Sequence, residues 1–294
     1  MDKITFHLNC DTIEFGIKSK KYIYSRYENI KHDMIQALKL TASKNKPSAF
    51  AVDNHKTKVV KFNDIDMKPS THAFYLVTQH FDFDEDLKMK TDAIMYRYLL
   101  DKIASAEHLD TVSTLKIMLE DLTFELKESL DDDDLDNIEL FANTLEPKTL
   151  IKLISPKITC EDDVANGFDL DYEESIRLQL SIINASAKLD LKKTVIIFLQ
   201  LPLLTDALLA EIKNASPNIK WLVDVPDMYY DDLDDILFIT ENHTIDMASD
   251  LDIHDKLTLE LENVNSIEET KAIINQYLNT DNPVKKPQIR DLLR

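Results

Sequence analysis

The stretch from Lys193 to Val225 reads KTVIIFLQLPLLTDALLAEIKNASPNIKWLVDV and decides the fold. Lys193 to Leu199 has strand character. Thr205 to Asn214 follows with helical spacing, and Ile219 to Val225 is apolar again. A strand, a short helix and a second strand at this spacing predict a βαβ crossover, and therefore parallel pairing.

Working outward, Leu237 to Thr240 and Phe74 to Thr78 read as further strands, the latter without alternation and so central. Ile4 to Leu8 and Thr12 to Phe15 alternate, with Gly16 supplying a turn. From Tyr22 to about Leu40 the spacing of Ile23, Tyr27, Ile30, Met34 and Leu38 predicts a helix with one apolar face. Ala49 to Val52 and Lys58 to Phe62 are expected to pair around the polar turn Asp53-Asn54-His55.

The character changes from Leu87 to Leu189, where no strand is expected. Val112, Leu115, Leu119, Leu122, Leu126 and Leu130 form one long stripe, and Ile176, Leu180, Ile183 and Ala187 a second. A shorter helix is expected over Ile138 to Ile154 and a loop over Ser155 to Gly167. The predicted fold class is α/β: a head built from residues 1–86 and 190–294, with a helical leg, 87–189, inserted into it. The second part of the head carries a C-terminal extension with a helix near Ser266 to Asn279 and a basic tail of Lys285, Lys286, Arg290 and Arg294.

Composition narrows the chemistry. Gly16 and Gly167 are the only glycines in 294 residues. Loops that cradle phosphates need several, so that backbone can approach the ligand. Cys10 and Cys160 stand apart with no metal-ligand spacing, as expected of reduced thiols in a cytoplasmic protein. The start, MDKITFHLNCD, lacks the apolar core of a signal peptide. The apolar stretch Val195 to Leu204 is about half a membrane span, so no membrane partner is expected.

The net charge of −20 is unevenly spread. Residues 1–61 hold twelve Lys and Arg against six Asp and Glu, while the remaining 233 residues hold 22 against 48. Exposed charges more than about 8 Å apart are largely screened at physiological salt, so a basic face can coexist with a distant acidic one. Lys18, Lys20 and Lys21 form one basic cluster, and His55, Lys56, Lys58 and Lys61 another. Both suit contacts to phosphate without base reading, and both also suit solvated surface lysines.

The run Asp131-Asp132-Asp133-Asp134, with Glu125, Glu128, Asp136 and Glu139 nearby, gathers carboxylates that repel one another unless a cation intervenes. Calcium favours such oxygen clusters, although the spacing is not that of an EF-hand. A solvated inter-helix loop is the other reading. No Ser, His and Asp arrangement follows from the spacing of the eight histidines. Asp224 and Asp227 near strand ends lack the clustered partners of a metal-dependent nuclease.

One resemblance runs through these features. It is carried by His55-Lys56-Thr-Lys58-Val-Val-Lys61, Leu76-Val77-Thr78, Leu122-Thr-Phe124-Glu125 with the acidic run, Asp136-Asn-Ile138, Lys192-Lys193-Thr-Val-Ile-Ile-Phe198 and Ile236-Leu-Phe-Ile239. In this order the chain, over roughly residues 1–240, resembles the ring-forming accessory protein of type II-A CRISPR adaptation. The resemblance implies a degenerate NTPase-like α/β head with a helical leg, no catalysis, and a homotetrameric ring whose basic hole takes up ends of double-stranded DNA. It also implies Ca2+ at the acidic run, with Glu125, Glu128, Asp132, Asp134 and Asp136 as ligands. The integrase and nuclease proteins of CRISPR adaptation and the type II effector nuclease are the implied partners. The extra sequence at Ser155 to Tyr172 and past residue 245 departs from compact members of that family. Two rival readings remain on the residues alone: an enzyme, either a remnant NTPase or a metal-dependent nuclease, and a scaffold binding protein through the stripe from Val112 to Leu130.

Overall fold

The structure is a computed structural model that describes residues 1–8, 11–42, 58–132, 139–160, 163–224, 230–240, 243–258 and 266–278. The strands are β1 (Asp2–Leu8), β2 (Asp11–Ile17), β3 (Lys20–Ser25), β4 (Lys58–Phe62), β5 (Ile65–Asp66), β6 (His72–Thr78), β7 (Ile158–Cys160), β8 (Asp163–Ala165), β9 (Thr194–Gln200), β10 (Ile219–Asp224), β11 (Ile236–Ile239) and β12 (Thr244–Asp246). The helices are α1 (Glu28–Ala42), α2 (Phe83–Asp86), α3 (Ile94–Ile103), α4 (Leu109–Asp132), α5 (Pro147–Ile151), α6 (Tyr172–Leu189), α7 (Asp206–Lys213), α8 (Asp250–Ile253) and α9 (Ile267–Leu278). Among the described residues no helix is long and apolar enough to cross a membrane. The chain divides into two compact units, residues 1–79 with 191–294, and residues 80–190.

The first unit is α/β, with a six-stranded sheet in the order β12-β11-β3-β10-β9-β6. Its inner strands are parallel, and β12 runs antiparallel to β11 at one edge. The β9–α7–β10 crossover is the one read from the sequence: Ile219 aligns with Val195 and Asp224 with Gln200. Val195 to Leu199 are all buried, because helices and strands cover both faces. Thr205 caps α7 by accepting from the Leu208 amide.

A second sheet, β2-β1-β4-β5, stacks its apolar face on the same core. Ile4, Phe6, Phe15 and Val60 from this sheet meet Met34 and Leu38 of α1 and Phe198 and Leu222 of the large sheet. Asn63 and Asp64, both with positive φ (51° and 64°), form the tight turn from β4 into β5, a conformation that Asn and Asp tolerate well. β4 pairs with β1 and β5, and the expected partner at Ala49 to Val52 lies outside the described residues.

Two local expectations are corrected here. Tyr22 to Ser25 belongs to β3, and the helix starts only at Glu28. A central parallel strand buries side chains on both faces, so its apolar run carries no period and merged with the helical spacing that follows it. β2 runs on through Gly16, and the turn falls at Lys18 and Ser19.

The second unit is mainly helical. Ile176, Leu180, Ile183 and Ala187 of α6 are buried as the stripe predicts, behind a capping box formed by Asp171 and Glu174. Asp86 accepts from the Ile94 and Met95 amides at 2.7 and 3.0 Å and so caps α3. The helix expected over Ile138 to Ile154 is confined, among the described residues, to Pro147–Ile151. Pro147 occupies the first turn, and the residue before a proline is held extended. The expected loop over Ser155 to Gly167 contains the hairpin β7–β8.

Lys21 is wholly buried in β3, on the face that also carries Ile23. Its ammonium donates to the Asp246 carboxylate and, at 2.7 Å, to the Asp234 carbonyl. Removing one member of a buried pair leaves the other charge uncompensated. Lys21→Met is therefore expected to lower the unfolding free energy by about 3 kcal/mol in urea denaturation, whereas Lys18→Met at the surface stays within about 0.5 kcal/mol.

Candidate functional site

In an open parallel sheet, ligands bind outside the carboxyl ends of the strands. Here Thr78, Gln200 and Asp224 lie side by side at those ends of β6, β9 and β10. α1 begins three residues after β3, which places its first turn in the same unit as this edge. Lys31 of that turn donates to Asp224 Oδ1 at 2.9 Å and pairs with Glu28 Oε1 at 2.7 Å. Gln200 Nε2 donates to the other Asp224 oxygen at 3.2 Å.

Both charged groups are nearly buried, Lys31 at 6% and Asp224 at 7% exposure. Burial pushes the Asp224 carboxyl above its ordinary value, in spite of the Lys31 bond that draws it down. Burial also opposes the Lys31 ammonium, but its bonds to Glu28 and Asp224 outweigh that and hold its pKa above the usual lysine value. Among the described residues, these side chains at the edge satisfy one another. Sequence reading singled out Asp224 but missed Lys31, whose only signal was its position one turn after Glu28 in a helix directly following a strand.

The basic clusters are placed differently from the sequence expectation. Lys20 is bonded to Asp231, with Asp235 at 3.8 Å, and Lys18 lies 3.7 Å from Asp232 and 3.8 Å from Asp234. Lys21 is buried, so these three lysines do not make a free basic patch. The cause is the acidic run Asp231 to Asp235, which the fold brings to the start of β3 from more than two hundred residues away.

Lys58 pairs with Asp33 of α1. Lys61 is three residues further along β4, an odd step, and so lies on the opposite face of the sheet, beside Thr5 and Asp66 in register. Among the described residues Lys61 has no carboxylate within ion-pair distance. His55 and Lys56 lie outside the described residues.

Of the proposed calcium ligands, Glu125 and Glu128 stand one turn apart on exposed positions of α4. Asp132 ends that helix, while Asp134 and Asp136 lie outside the described residues. Among the described residues no group of three or more His, Cys, Asp or Glu is placed to hold a metal ion. Two carboxylates fall short of the six to eight oxygens that calcium takes. The described part of the acidic run does not by itself fit the ion.

The fold has a known counterpart. The chain is similar to the crystal structure of Stu0660 of Streptococcus thermophilus, with a TM-score of 0.61 over 100% of both chains and 13% sequence identity. At that identity the likeness establishes the shared fold. No family model and no curated protein sequence matches the chain.

The Lys31–Asp224 pair makes an asymmetric prediction. Asp224→Ala leaves Lys31 still paired with Glu28 and should cost about 2 kcal/mol, while Lys31→Ala strands a buried carboxylate with Gln200 alone and should cost about 3–4 kcal/mol in urea denaturation. Because the folded-state carboxyl of Asp224 is raised, its contribution to stability is full below the ordinary value of 3.8 and is lost as pH rises through the elevated one. Asp224→Asn should therefore remove a stability decline that begins near pH 4 and continues upward.

Proposed function

We propose that this chain is a non-catalytic protein of CRISPR adaptation that binds ends of linear double-stranded DNA without reading sequence, as a homotetrameric ring. The observation that carries this reading is the full-length likeness in fold to Stu0660 of Streptococcus thermophilus. The resemblance distributed from His55 to Ile239 supports it independently. A non-catalytic role is supported by the mutual bonds of Lys31, Asp224 and Gln200 at the strand ends, and by the lack of a glycine-rich sequence between β3 and α1.

The proposed DNA contacts narrow to Lys18 and Lys61 with His55 and Lys56. Lys20, Lys21 and Lys58 serve the head's internal ion pairs instead. Ca2+ remains part of the reading, held through Glu125, Glu128, Asp132, Asp134 and Asp136, with further oxygens needed to complete the shell. The integrase and nuclease proteins of adaptation and the type II effector nuclease are the proposed partners.

A second reading, a scaffold that binds another protein, is favoured by α4, where Leu115, Leu122 and Leu126 are 41 to 50% exposed. The same feature serves self-assembly in the first reading, so DNA binding separates the two. In gel shifts, linear duplex should be retained and covalently closed circular duplex of equal length should not, with calcium strengthening the shift. If a ring meets about eight phosphates, log affinity should fall with log salt at a slope of about −7. Equal binding of both DNA forms overturns threading from an end, and a salt-independent affinity overturns phosphate contact altogether.

A further inference from the structure

Immediately before β11 the chain reads Asp231-Asp232-Leu233-Asp234-Asp235, a run in which Leu233 is the one uncharged residue. Lysines from four places in the first unit converge on it. Lys18 comes from the turn between β2 and β3, Lys20 from β3, Lys213 from the last turn of α7 and Lys271 from α9. Folding thus gathers a basic surface from separate elements, and a single five-residue segment sets four carboxylates against it.

The pairs are of two kinds. Lys20 bonds to Asp231 and lies 3.8 Å from Asp235, and the side chains of Lys20 and Asp235 are only 12% exposed. Lys271 donates to Asp234 at 2.9 Å. Lys18 instead stands 3.7 Å from Asp232 and 3.8 Å from Asp234, and Lys213 stands 3.7 Å from Asp231. These separations exceed hydrogen-bonding length, and the side chains of Lys18, Lys213, Asp231 and Asp232 are 52 to 58% exposed. Solvent-exposed pairs of this kind hold their partners weakly.

We propose that the run Asp231 to Asp235 is a built-in competitor of DNA phosphate, which holds Lys18 and Lys213 in weak pairs until a phosphate backbone takes its place. The inference rests on the DNA-binding reading above and adds Lys213 to its contacts. A row of carboxylates offers lysine the same chemistry as a row of phosphates, negative oxygens at close spacing. Lysine meets either one as a point charge on a flexible stem, so the two side chains can change partner without backbone movement. Lys20 stays with the run because it is nearly enclosed, and Lys21 stays buried with Asp246. The carboxylates left behind remain close to the DNA, so the run weakens each contact that it yields.

The test measures binding of the full chain to fluorescein-labelled linear duplex by anisotropy over a range of salt. The variant D231N/D232N/D234N should bind about tenfold or more tightly than wild type, with a slope of log affinity against log salt steeper by about 0.9 for each lysine released. Asn caps nearly as well as Asp, so the turn that Asp232 caps is kept. If the triple variant fails to fold, D232N/D234N, which leaves the Lys20 pairs intact, decides. The control D92N/D110N/D163N changes the net charge equally at exposed acids of the second unit and should stay within about twofold of wild type. Adding K18Q/K213Q to the neutralised variant should abolish the gain, while the same two substitutions in wild type should cost far less. An affinity unchanged by neutralising the run, an equal gain in the control, or a gain that survives loss of both lysines overturns the proposal. If wild type binds while the neutralised variant shows no gain, only the competitor fails; if neither binds, the DNA-binding reading fails with it.

Discussion

One carboxylate, Asp246, joins the parts of the head. Its Oδ1 accepts from the Lys21 ammonium and from the Ala248 amide, its Oδ2 accepts from the Gly16 amide, and its own amide donates to Asp252. A residue of β12 therefore ties together the centre of the large sheet, the edge of the small sheet and the turn into α8. Two charges taken out of water cost several kcal/mol each, and only close geometry with further hydrogen bonds offsets that. The bonds to Asp246 supply it. The same demand explains why Lys21 is withdrawn from the surface in spite of sitting in a run of lysines.

The acidic composition gains a structural meaning from this. Residues 1–61 carry a surplus of positive charge, yet Lys18, Lys20, Lys21 and Lys31 take carboxylate partners from Asp224 to Asp246, and Lys58 takes Asp33. Much of the N-terminal surplus is spent inside the head on acids contributed late in the chain. A count of charge along a sequence overstates the surface potential when folding brings opposite runs together.

What could be read from sequence follows the same logic. The β9–α7–β10 unit was legible because its two strands pair with each other across a short crossover and its apolar runs are long. The α6 stripe was legible because it has one buried face with a period near 3.6 residues. The start of α1 was not, since Tyr22, Ile23 and Tyr24 are apolar for a reason that lies in β10 and β11, on either side of β3. Lys58 and Lys61 looked like one cluster in the sequence, but the period of two in a strand sets them on opposite faces. The Lys31–Asp224 pair spans 193 positions and could not be seen without the fold.

The fold by itself does not carry the chemistry, since one architecture hosts many activities. What the side chains add is a limit on phosphate binding by the first unit. Among its described residues Lys18, Lys20, Lys21, Lys31 and Lys58 all have carboxylates within ion-pair distance, and a lysine already paired releases fewer counterions when it meets a phosphate. α4 presents the complementary problem: Leu115, Met118, Leu122 and Leu126 fall on one face and are 41 to 61% exposed. An apolar stripe of that length marks a surface made to be covered. Covering that stripe would bury apolar side chains that each now stand about half in water, which is the larger of the two gains open to this chain, since its described lysines mostly have carboxylate partners already.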